Sequence, residues 1–377
     1  MLISLDFTKF TFSFVPKQIA FVLVFTCLYA ILIVLLIYGY LRLKNYNCNC
    51  KQHKTQVSII VAVRNEISNI ENLLNSLLSQ QWLNYEVIIV DDYSNDGTYE
   101  FLIKTVSHKL KVFKNPFLPG KKFALAYGVS QANSEIILFT DADCVHSKEW
   151  IKFMICPILE RNAQFVIGNV FLSYRKLFSS QALQSLEFAS LQATGQGAAS
   201  INLPFIANAA NLAFKKDLWK NANINMIHPS GDDVLLLHEA IEKKLKIEVQ
   251  SCIPATVQTK ALDTFKDFFY QRIRWTSKTS IYQNLWARVI AVIVFLVNLE
   301  LLFLIFLKVK LFLIAFFIKS LVDFVILFLY LKRYNQRKLL VWFWFVEILY
   351  IFYAVLIGIL SQLIGFRWKG RKYKKQV

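Results

Sequence analysis

The stretch EVIIVDDYSNDGT at residues 86–98 decides the fold class, because a short β-branched run ends there in an acidic, turn-forming segment. The same pattern returns in EIILFTDADC at residues 135–144. In an open α/β sheet the ligand crevice lies beyond the carboxyl ends of the strands. We therefore expect the acids of both turns to face one crevice.

Asp141 and Asp143 stand two residues apart on the second of these turns. Carboxylates at this spacing supply oxygen ligands, which hard cations such as Mg²⁺ and Mn²⁺ prefer. A cation of this kind neutralises the charge that develops on a diphosphate leaving group. A lone D-x-D pair occurs often by chance, so its meaning depends on the surrounding sequence.

The surrounding sequence alternates short apolar runs with amphipathic stretches. VSIIVAV at residues 57–63 predicts a buried strand, and the apolar positions within residues 70–78 recur at helical spacing. FVIGNVF at residues 165–171 predicts a further strand, and residues 232–244 predict a helix. This alternation is typical of an α/β domain.

The composition excludes several classes of protein. Of the 377 residues, 56% are hydrophobic and 15% aromatic, and the mean hydropathy of +0.42 disfavours a purely soluble enzyme. With 11 Gly, 7 Pro and 6 Cys, the chain is not collagen-like, disordered or built on disulfides. Cys48 and Cys50 are too close together for the usual zinc hook, and no histidine pair accompanies them.

The formal charge of +18 is concentrated outside the α/β region. Residues 1–57 carry +5, residues 58–259 carry −1 and residues 260–377 carry +14. The excess bases lie beside apolar runs, where they meet anionic lipid and follow the positive-inside rule. The near-neutral middle argues against a nucleic-acid partner.

Apolar runs flank the α/β region on both sides. Residues 19–40 lack charge and are long enough to cross a bilayer. Three further runs lie between residues 289 and 366. Three simple spans there would leave the basic tail outside the cell, against the positive-inside rule, so the number of C-terminal spans stays open between two and four.

The predicted layout has six parts. They are an N-terminal segment at 1–18, a transmembrane helix at 19–41, a cytoplasmic α/β domain at 56–260, an interfacial segment at 261–288, a membrane region at 289–366 and a basic tail at 367–377.

Charged residues also occur inside the C-terminal apolar runs, at Glu300, Lys319, Asp323 and Glu347. Unpaired charge is costly in lipid, so these side chains are expected to face each other or a cavity. Lys319 and Asp323 are four residues apart, which favours a local ion pair on one helix.

The order of several motifs resembles the membrane-anchored branch of the family 2 glycosyltransferases, with cellulose, hyaluronan and ceramide glucosyl synthases as distant relatives. The resemblance covers about residues 56–280. Its motifs are VSIIVAVRNE at 57–66, VDDYSNDGT at 90–98, GKKFALAYG at 120–128, TDADC at 140–144, GDDVLLL at 231–237 and QRIRW at 271–275. The resemblance implies an α/β GT-A domain, Rossmann-like, together with transmembrane helices.

The resemblance also implies a site for a nucleotide sugar. The side chains that would contact it are Glu66, Asp91, Asp92, Lys121 and Asp141. Asp143, with Asp141, would hold Mg²⁺ or Mn²⁺. Two alternatives stay open, since one acid of the Asp91 and Asp92 pair can be a turn-capping residue and Lys121 can be a solvated lysine at a helix start.

Asp233 matches the family's catalytic aspartate, and inverting displacement needs a general base opposite the leaving diphosphate. Asp232 is grouped with the acceptor and diphosphate side, and its alternative role is in a helix N-cap. Gln271, Arg274 and Trp275 would lie on an interfacial helix, with the arginine near the diphosphate and the tryptophan on the acceptor. Arginine and tryptophan beside a membrane segment can also be interface anchors.

These features predict an inverting glycosyltransferase that moves a sugar from a nucleotide sugar, such as a UDP-sugar, to a lipid, lipid-linked or saccharide acceptor. A processive polysaccharide synthase is one alternative, and a nucleotide-binding transporter or scaffold without enzymatic activity is another. The expected location is a bacterial-type inner membrane, with the catalytic domain in the cytoplasm. A processive synthase needs a channel for its polymer, and the C-terminal membrane region is small for one. Such a channel could still assemble in an oligomer.

Overall fold

The computed structural model describes residues 23–43, 54–220, 231–277, 284–368 and 371–373. The predicted N-terminal segment at 1–18 and the Cys48 and Cys50 pair lie outside the described residues. So do residues 19–22 of the predicted transmembrane helix, 278–283 of the interfacial segment, and 369–370 and 374–377 of the basic tail.

Twelve α-helices are described: α1 Val24–Arg42, α2 Ile70–Leu78, α3 Thr98–Lys104, α4 Lys121–Gln131, α5 Trp150–Arg161, α6 Ser180–Ser200, α7 Lys216–Lys220, α8 Asp232–Glu242, α9 Phe265–Ser277, α10 Leu285–Leu307, α11 Val309–Arg333 and α12 Phe343–Leu363. The described strands are β1 Val57–Val63, β2 Tyr85–Asp91, β3 Leu110–Lys114, β4 Ile136–Phe139, β5 Cys144–Val145, β6 Phe165–Gly168, β7 Val170–Ser173, β8 Leu212–Lys215, β9 Ile247–Gln250, β10 Val257–Lys260, β11 Phe366–Trp368 and β12 Arg371–Tyr373.

A mixed seven-stranded sheet forms the centre of the α/β domain, in the order β3-β2-β1-β4-β8-β6-β9. Strands β3, β2, β1 and β4 are parallel, whereas β8 runs antiparallel to both β4 and β6. Every residue of β2 is buried, as in a sheet covered on both faces. The expected α/β fold is confirmed.

The predicted strand at residues 165–171 is wrong in one respect, because the chain forms two strands there. Strand β6 belongs to the central sheet, and β7 pairs with β10 in a second sheet of three strands. Asn169 lies between them, fully buried, and its side-chain oxygen accepts hydrogen bonds from Gln196 at 2.7 Å and Tyr330 at 2.8 Å. These tertiary partners fix the break between the strands.

Helix α1 packs directly on helix α6 of the α/β domain through small residues. A Cβ atom at Gly39 would lie 2.1 Å from the carbonyl oxygen of Gly197, so side chains are excluded at this crossing. The Ser200 hydroxyl donates a hydrogen bond to the Gly39 carbonyl. Close backbone approach of this kind is typical of helices that associate in membranes.

Four segments are long and apolar enough to cross a membrane: Val24–Arg42, Leu285–Leu307, Val309–Arg333 and Arg337–Leu363. They share a hydrophobic core with the α/β domain, since Leu36 of α1 and Tyr330 of α11 belong to the same buried cluster as Ile60 of β1. This combination of an α/β sheet and apolar helices matches the expected fold class.

Candidate active site

The carboxyl ends of β1, β2 and β4 meet at one edge of the sheet, because these strands are neighbours and parallel. Asp92 follows β2 and is buried. Its Oδ1 atom accepts hydrogen bonds from the Gly120 amide at 2.8 Å and from Asn115 Nδ2 at 3.0 Å. Asp92 thereby fixes the loop that leads into helix α4.

Asp91 has a different position from its neighbour. Its Oδ2 atom accepts a 3.1 Å hydrogen bond from the Ser94 amide, which is the geometry of a turn cap. Asp91 is buried and is not among the residues that line the main cavity, whereas Asp92 is. The alternative role noted for one acid of this pair therefore fits Asp91.

Glu66 follows β1 and also lines the cavity. Its amide donates to Thr98 Oγ1 at 2.9 Å, and its Oε2 atom accepts from Asn69 Nδ2 at 2.8 Å. Next to it, Arg64 donates a 2.8 Å hydrogen bond to the carbonyl of Asp92. The turns after β1 and β2 are thus joined into one wall of the cavity.

Lys121, the first residue of α4, connects two of the acidic motifs. Its Nζ atom lies 2.6 Å from Asp141 Oδ1 and 3.8 Å from Asp232 Oδ2. Burial alone would lower the pKa of Lys121, but the carboxylates of Asp141, Asp232 and Asp233 raise it above its ordinary value. Lys121 is therefore a charged side chain paired with acids of two motifs, and the alternative of a solvated lysine does not apply.

The turn carrying Asp141 and Asp143 is held from behind by a buried histidine that the sequence analysis missed. His146 Nε2 lies 2.7 Å from Thr140 Oγ1, and its Nδ1 lies 3.0 Å from Ser76 Oγ on α2. Burial lowers the pKa of His146 to about 3, so the ring is neutral at physiological pH. Its signal in the sequence was only a histidine three residues after the D-x-D.

Helix α8 begins at Asp232 and presents Asp232 and Asp233 to the same cavity. The residue that caps this helix is Gly231, whose φ of 91° is left-handed and which offers no side-chain cap. The N-cap role considered for Asp232 is therefore wrong, because Asp232 already lies in the first helical turn. Its side chain instead faces Lys121.

Helix α9 brings Gln271, Arg274 and Trp275 to the cavity. Burial lowers the pKa of the Arg274 guanidinium, while nearby carboxylates oppose this effect. Those carboxylates belong to Asp141, Asp233, Asp232 and Asp143. The arginine of the QRIRW motif therefore lies close to both acidic motifs.

Arg272, the second residue of the QRIRW motif, was not singled out in the sequence analysis. Its guanidinium pairs with Glu187 of α6, with a distance of 3.2 Å from Nε to each carboxylate oxygen. The guanidinium carbon also lies 4.2 Å from the centre of the Trp275 ring and 4.5 Å from that of Phe268. Arg272 thus fixes Trp275 against the α/β domain. The available signal was a lone acid within the small-residue stretch at 179–200.

The donor atoms at the acidic turn suit a hard divalent cation. Asp141 and Asp143 both line the cavity and offer only oxygen. Within the described parts of the chain, no group of three His, Cys, Asp or Glu side chains is arranged to enclose a metal. Mg²⁺ is commonly held by one or two carboxylates, with substrate phosphates and water completing its shell. The residues present fit that kind of shared site.

The cavity has a volume of about 910 Å³ and extends well beyond the acidic motifs. It continues between helices α1, α10, α11 and α12, which contribute apolar side chains such as Leu36, Val294 and Leu327. All predicted site residues except Asp91 line this one cavity.

Comparisons with known proteins agree with this architecture. Residues 58–221 match the family model described as Glycosyl transferase family 2. Glycosyltransferase AglE of Haloferax volcanii is 28% identical over 208 residues, which cover 53% of this chain and 67% of that protein. The dolichol-phosphate mannosyltransferase of Pyrococcus furiosus is 30% identical over 139 residues, which cover 34% of this chain and only 39% of that protein.

A solved structure of similar fold is the mannosyltransferase PcManGT from Pyrobaculum calidifontis, in complex with GDP-Man and Mn²⁺. The TM-score is 0.51 with 16% sequence identity, and the superposition covers 91% of this chain and 99% of that one. At this level of identity the likeness concerns the fold alone.

Proposed function

We propose that this chain is a family 2 glycosyltransferase, whose family model matches residues 58–221. It would transfer a sugar, with inversion, from a nucleoside diphosphate sugar to a lipid or lipid-linked acceptor at a membrane. One observation carries the proposal: Lys121 and Arg274 share a cavity with the acids of the D-x-D and GDD motifs. Charged groups from four separate parts of the sequence converge where a diphosphate could lie.

For the donor, Asp92 and Glu66 form the wall next to which the nucleoside would bind, and Lys121 and Arg274 face the diphosphate. Arginine offers paired donors that match phosphate oxygens, and lysine offers a compact charge. We propose a UDP-sugar as donor. Support for a nucleotide-sugar donor also comes from PcManGT, whose structure contains GDP-Man.

Asp143 and Asp141 would hold Mg²⁺ or Mn²⁺ next to the diphosphate. The cation would supply charge neutralisation as the bond to the leaving group breaks. Lys121 Nζ lies 2.6 Å from Asp141 Oδ1, so Asp141 would share its charge between this lysine and the cation. The Mn²⁺ in the PcManGT complex is consistent with such a site.

Asp233 is proposed as the general base. It lies in the first turn of α8 and lines the cavity beside Asp232. A carboxylate there would accept the proton of the acceptor hydroxyl as that oxygen attacks the sugar from the face opposite the diphosphate. Asp232 remains paired with Lys121 and would help to hold the diphosphate side of the site in place.

The acceptor is proposed to reach the site from the bilayer. The cavity extends between apolar helices, and Trp275 of α9 is among the residues that line it. The name of the Pyrococcus furiosus relative contains a lipid acceptor, dolichol phosphate, which supports a lipid as the acceptor here. We further propose a bacterial-type inner membrane, with the α/β domain on the cytoplasmic side.

A direct experiment tests this function. Membranes containing the full chain are incubated with radiolabelled nucleotide sugars and Mn²⁺, and labelled lipid is extracted and identified. We expect label in lipid with the wild-type chain and with Asp217→Asn, an exposed control on α7, and none with Asp233→Asn. Equal labelling by both variants would reject the proposal.

The same assay separates the alternatives. A processive polysaccharide synthase would yield products of many sugar units, whereas single transfer yields one added sugar per lipid. A nucleotide-binding transporter or scaffold would release no nucleotide from the donor in a metal-dependent way.

A further inference from the structure

The cavity is larger than the donor site requires. Its volume of about 910 Å³ lies near the upper end of the roughly 300–1,000 Å³ that ligand pockets occupy. Its inner part lies between the membrane helices, and we call this part the inner chamber. Residues that line it include Tyr29, Leu36, Ala291, Lys319, Asp323 and Glu347.

A polar cluster lies on the wall of the inner chamber. Lys319 Nζ is 2.8 Å from Asp323 Oδ2 and is also paired with Glu347 of α12. The Tyr29 hydroxyl of α1 donates a 2.7 Å hydrogen bond to Asp323 Oδ1. The expected Lys319 and Asp323 pair is therefore confirmed, but it is part of a larger cluster that joins three helices.

The cluster contains one more carboxylate than its ammonium group can neutralise. Lys319 and Asp323 alone would form a neutral pair within α11, and Glu347 adds a second carboxyl group from α12. Burying a charge among membrane helices is costly unless hydrogen bonds or an opposite charge compensate it. Glu347 joins α12 to α11 through Lys319, and it also lines the cavity, where a ligand can reach it.

Glu300, in the same helix bundle, is a carboxylate with a structural role and can be compared with Glu347. It was expected to face the other charged residues or a cavity, but it instead accepts hydrogen bonds from the amide and the hydroxyl of Thr26, both at 2.8 Å. Glu300 does not line the cavity, whereas Glu347 does. The two acids therefore differ in their access to a ligand.

The functional groups of the cluster favour a hydroxyl donor over a phosphate as the ligand. The ammonium group of Lys319 is already paired with the carboxyl groups of both Asp323 and Glu347, so the cluster offers a phosphate more carboxyl oxygens than positive charge. Carboxylates form strong, charge-assisted hydrogen bonds with hydroxyl donors. The rings of Tyr29 and Tyr350, whose centres lie 5.5 and 5.4 Å from Lys319 Nζ, add flat surfaces beside these oxygens.

We propose that the inner chamber is a second acceptor subsite, which binds an uncharged lipid carrying a hydroxyl group in addition to the one that reacts. Glu347 accepts the hydrogen bond of this extra hydroxyl. The apolar faces of α1, α10 and α11 hold the lipid chain. This inference rests on the proposed function, because it assumes that a lipid is the acceptor.

The test compares two lipids that differ by one hydroxyl group. Monoolein has two free hydroxyls, and 3-hydroxypropyl oleate lacks only the hydroxyl on the middle glycerol carbon; binding of each to the full chain in detergent is measured by native mass spectrometry. Glu347→Gln keeps the shape of the side chain and removes its charge, and Glu300→Gln is the matched control. A second pair is Ala291→Phe, which fills the chamber, and Val292→Phe, which adds the same ring on an exposed position of α10.

We expect the wild-type chain to bind monoolein about 10-fold more tightly than 3-hydroxypropyl oleate, as for the loss of one charge-assisted hydrogen bond. Glu347→Gln should abolish this preference, and Glu300→Gln should keep it. Ala291→Phe should weaken binding of both lipids, while Val292→Phe should not. Unchanged preference in Glu347→Gln, or equal binding by the two phenylalanine variants, overturns the subsite.

Two further measurements separate the possible failures. Undecaprenyl phosphate is the anionic probe, and tighter binding of this lipid than of monoolein, blocked by Ala291→Phe, would assign the chamber to an isoprenoid phosphate instead and overturn the proposal. Metal-dependent nucleotide release is measured on the same preparations. Release without a hydroxyl preference rejects the subsite alone, whereas the absence of release rejects the proposed function.

Discussion

Lys121, at the start of α4, lies 2.6 Å from Asp141 on the turn after β4. This contact joins the segment that follows β3 to the D-x-D turn, and Asp232 of α8 lies on the other side of the same ammonium group at 3.8 Å. One cation therefore balances acids from two distant motifs. Its position makes Lys121 central to the electrostatics of the cavity.

Replacing Lys121 with methionine should weaken donor binding, because the acids around it would then repel the diphosphate. We expect the KM for the nucleotide sugar to rise at least about 10-fold, the loss typical of a charge-assisted contact. Lys121→Arg should restore part of the affinity. Lys104→Met, at an exposed position of α3, is the control and should behave as wild type.

The protonation of Lys121 should not limit activity at moderately alkaline pH. The neighbouring carboxylates outweigh burial and raise its pKa above the ordinary 10.5. A group with a raised pKa contributes fully below its ordinary value and loses that contribution only as the pH rises through the raised one. The KM for the donor should therefore stay constant between about pH 7 and pH 9, and a steady rise over this range would contradict the assignment.

His146 should make the folded state sensitive to acid. Burial lowers its pKa from 6.5 to about 3, so the unfolded chain binds a proton that the folded chain excludes. The free energy of unfolding should then fall by up to about 1.4 kcal/mol per pH unit as the pH drops below 6.5. Thermal unfolding of the purified chain between about pH 4.5 and pH 7.5 measures this slope.

The variant His146→Gln should lose this pH dependence, while His108→Gln, at an exposed position, should retain it. Identical slopes for wild type and His146→Gln would show that another group is responsible. At neutral pH, His146→Gln should also reduce transfer, since it loosens the hydrogen bond that fixes Thr140 next to the D-x-D turn.

The two proposed acid roles can be distinguished by different readouts. Asp143→Ala should abolish transfer by weakening donor binding, and a higher Mn²⁺ concentration should restore part of that binding. Asp233→Asn should abolish transfer but leave the Kd of the donor within about threefold of the wild-type value, as expected for a group that acts on the acceptor. Full transfer activity in either variant would refute its role.

Arg272 is expected to act through Trp275. Arg272→Lys keeps the charge but loses the paired contact with Glu187 and the stacking on the indole ring. We expect the KM for the acceptor to rise about 10-fold while the KM for the donor changes little. Arg175→Lys, at an exposed position, is the control. Equal changes in both KM values would indicate a general loss of structure instead of a displaced Trp275.

The sequence was sufficient to locate the strands that carry the site. The β-branched run at residues 57–63 became β1 with the same bounds, and the run before Asp92 became β2. It was sufficient because buried parallel strands need continuous apolar runs, whatever the rest of the chain does. The strand expected at residues 165–171 failed, because its division depends on pairing with two different sheets.

The residues that support the site could not be predicted from local sequence patterns. His146, Arg272 and Glu187 act through partners that lie far away in the sequence, such as Ser76 for His146 and Tyr353 for Glu187. Nothing local distinguishes such residues from ordinary polar ones. The position of Asp91 outside the cavity was equally hidden, because adjacent residues on a turn can point to opposite sides.

Sequence alone determined that this protein combines an α/β sheet with apolar helices, and that acidic turns follow its parallel strands. Both properties are local, since they depend on hydropathy over a few residues and on the direction of neighbouring strands. Only the tertiary structure decided that Lys121 and Arg274 face these acids, and that one cavity continues to Glu347 between the membrane helices. Such relationships arise from packing between segments far apart in the chain, and packing is a property of the whole fold.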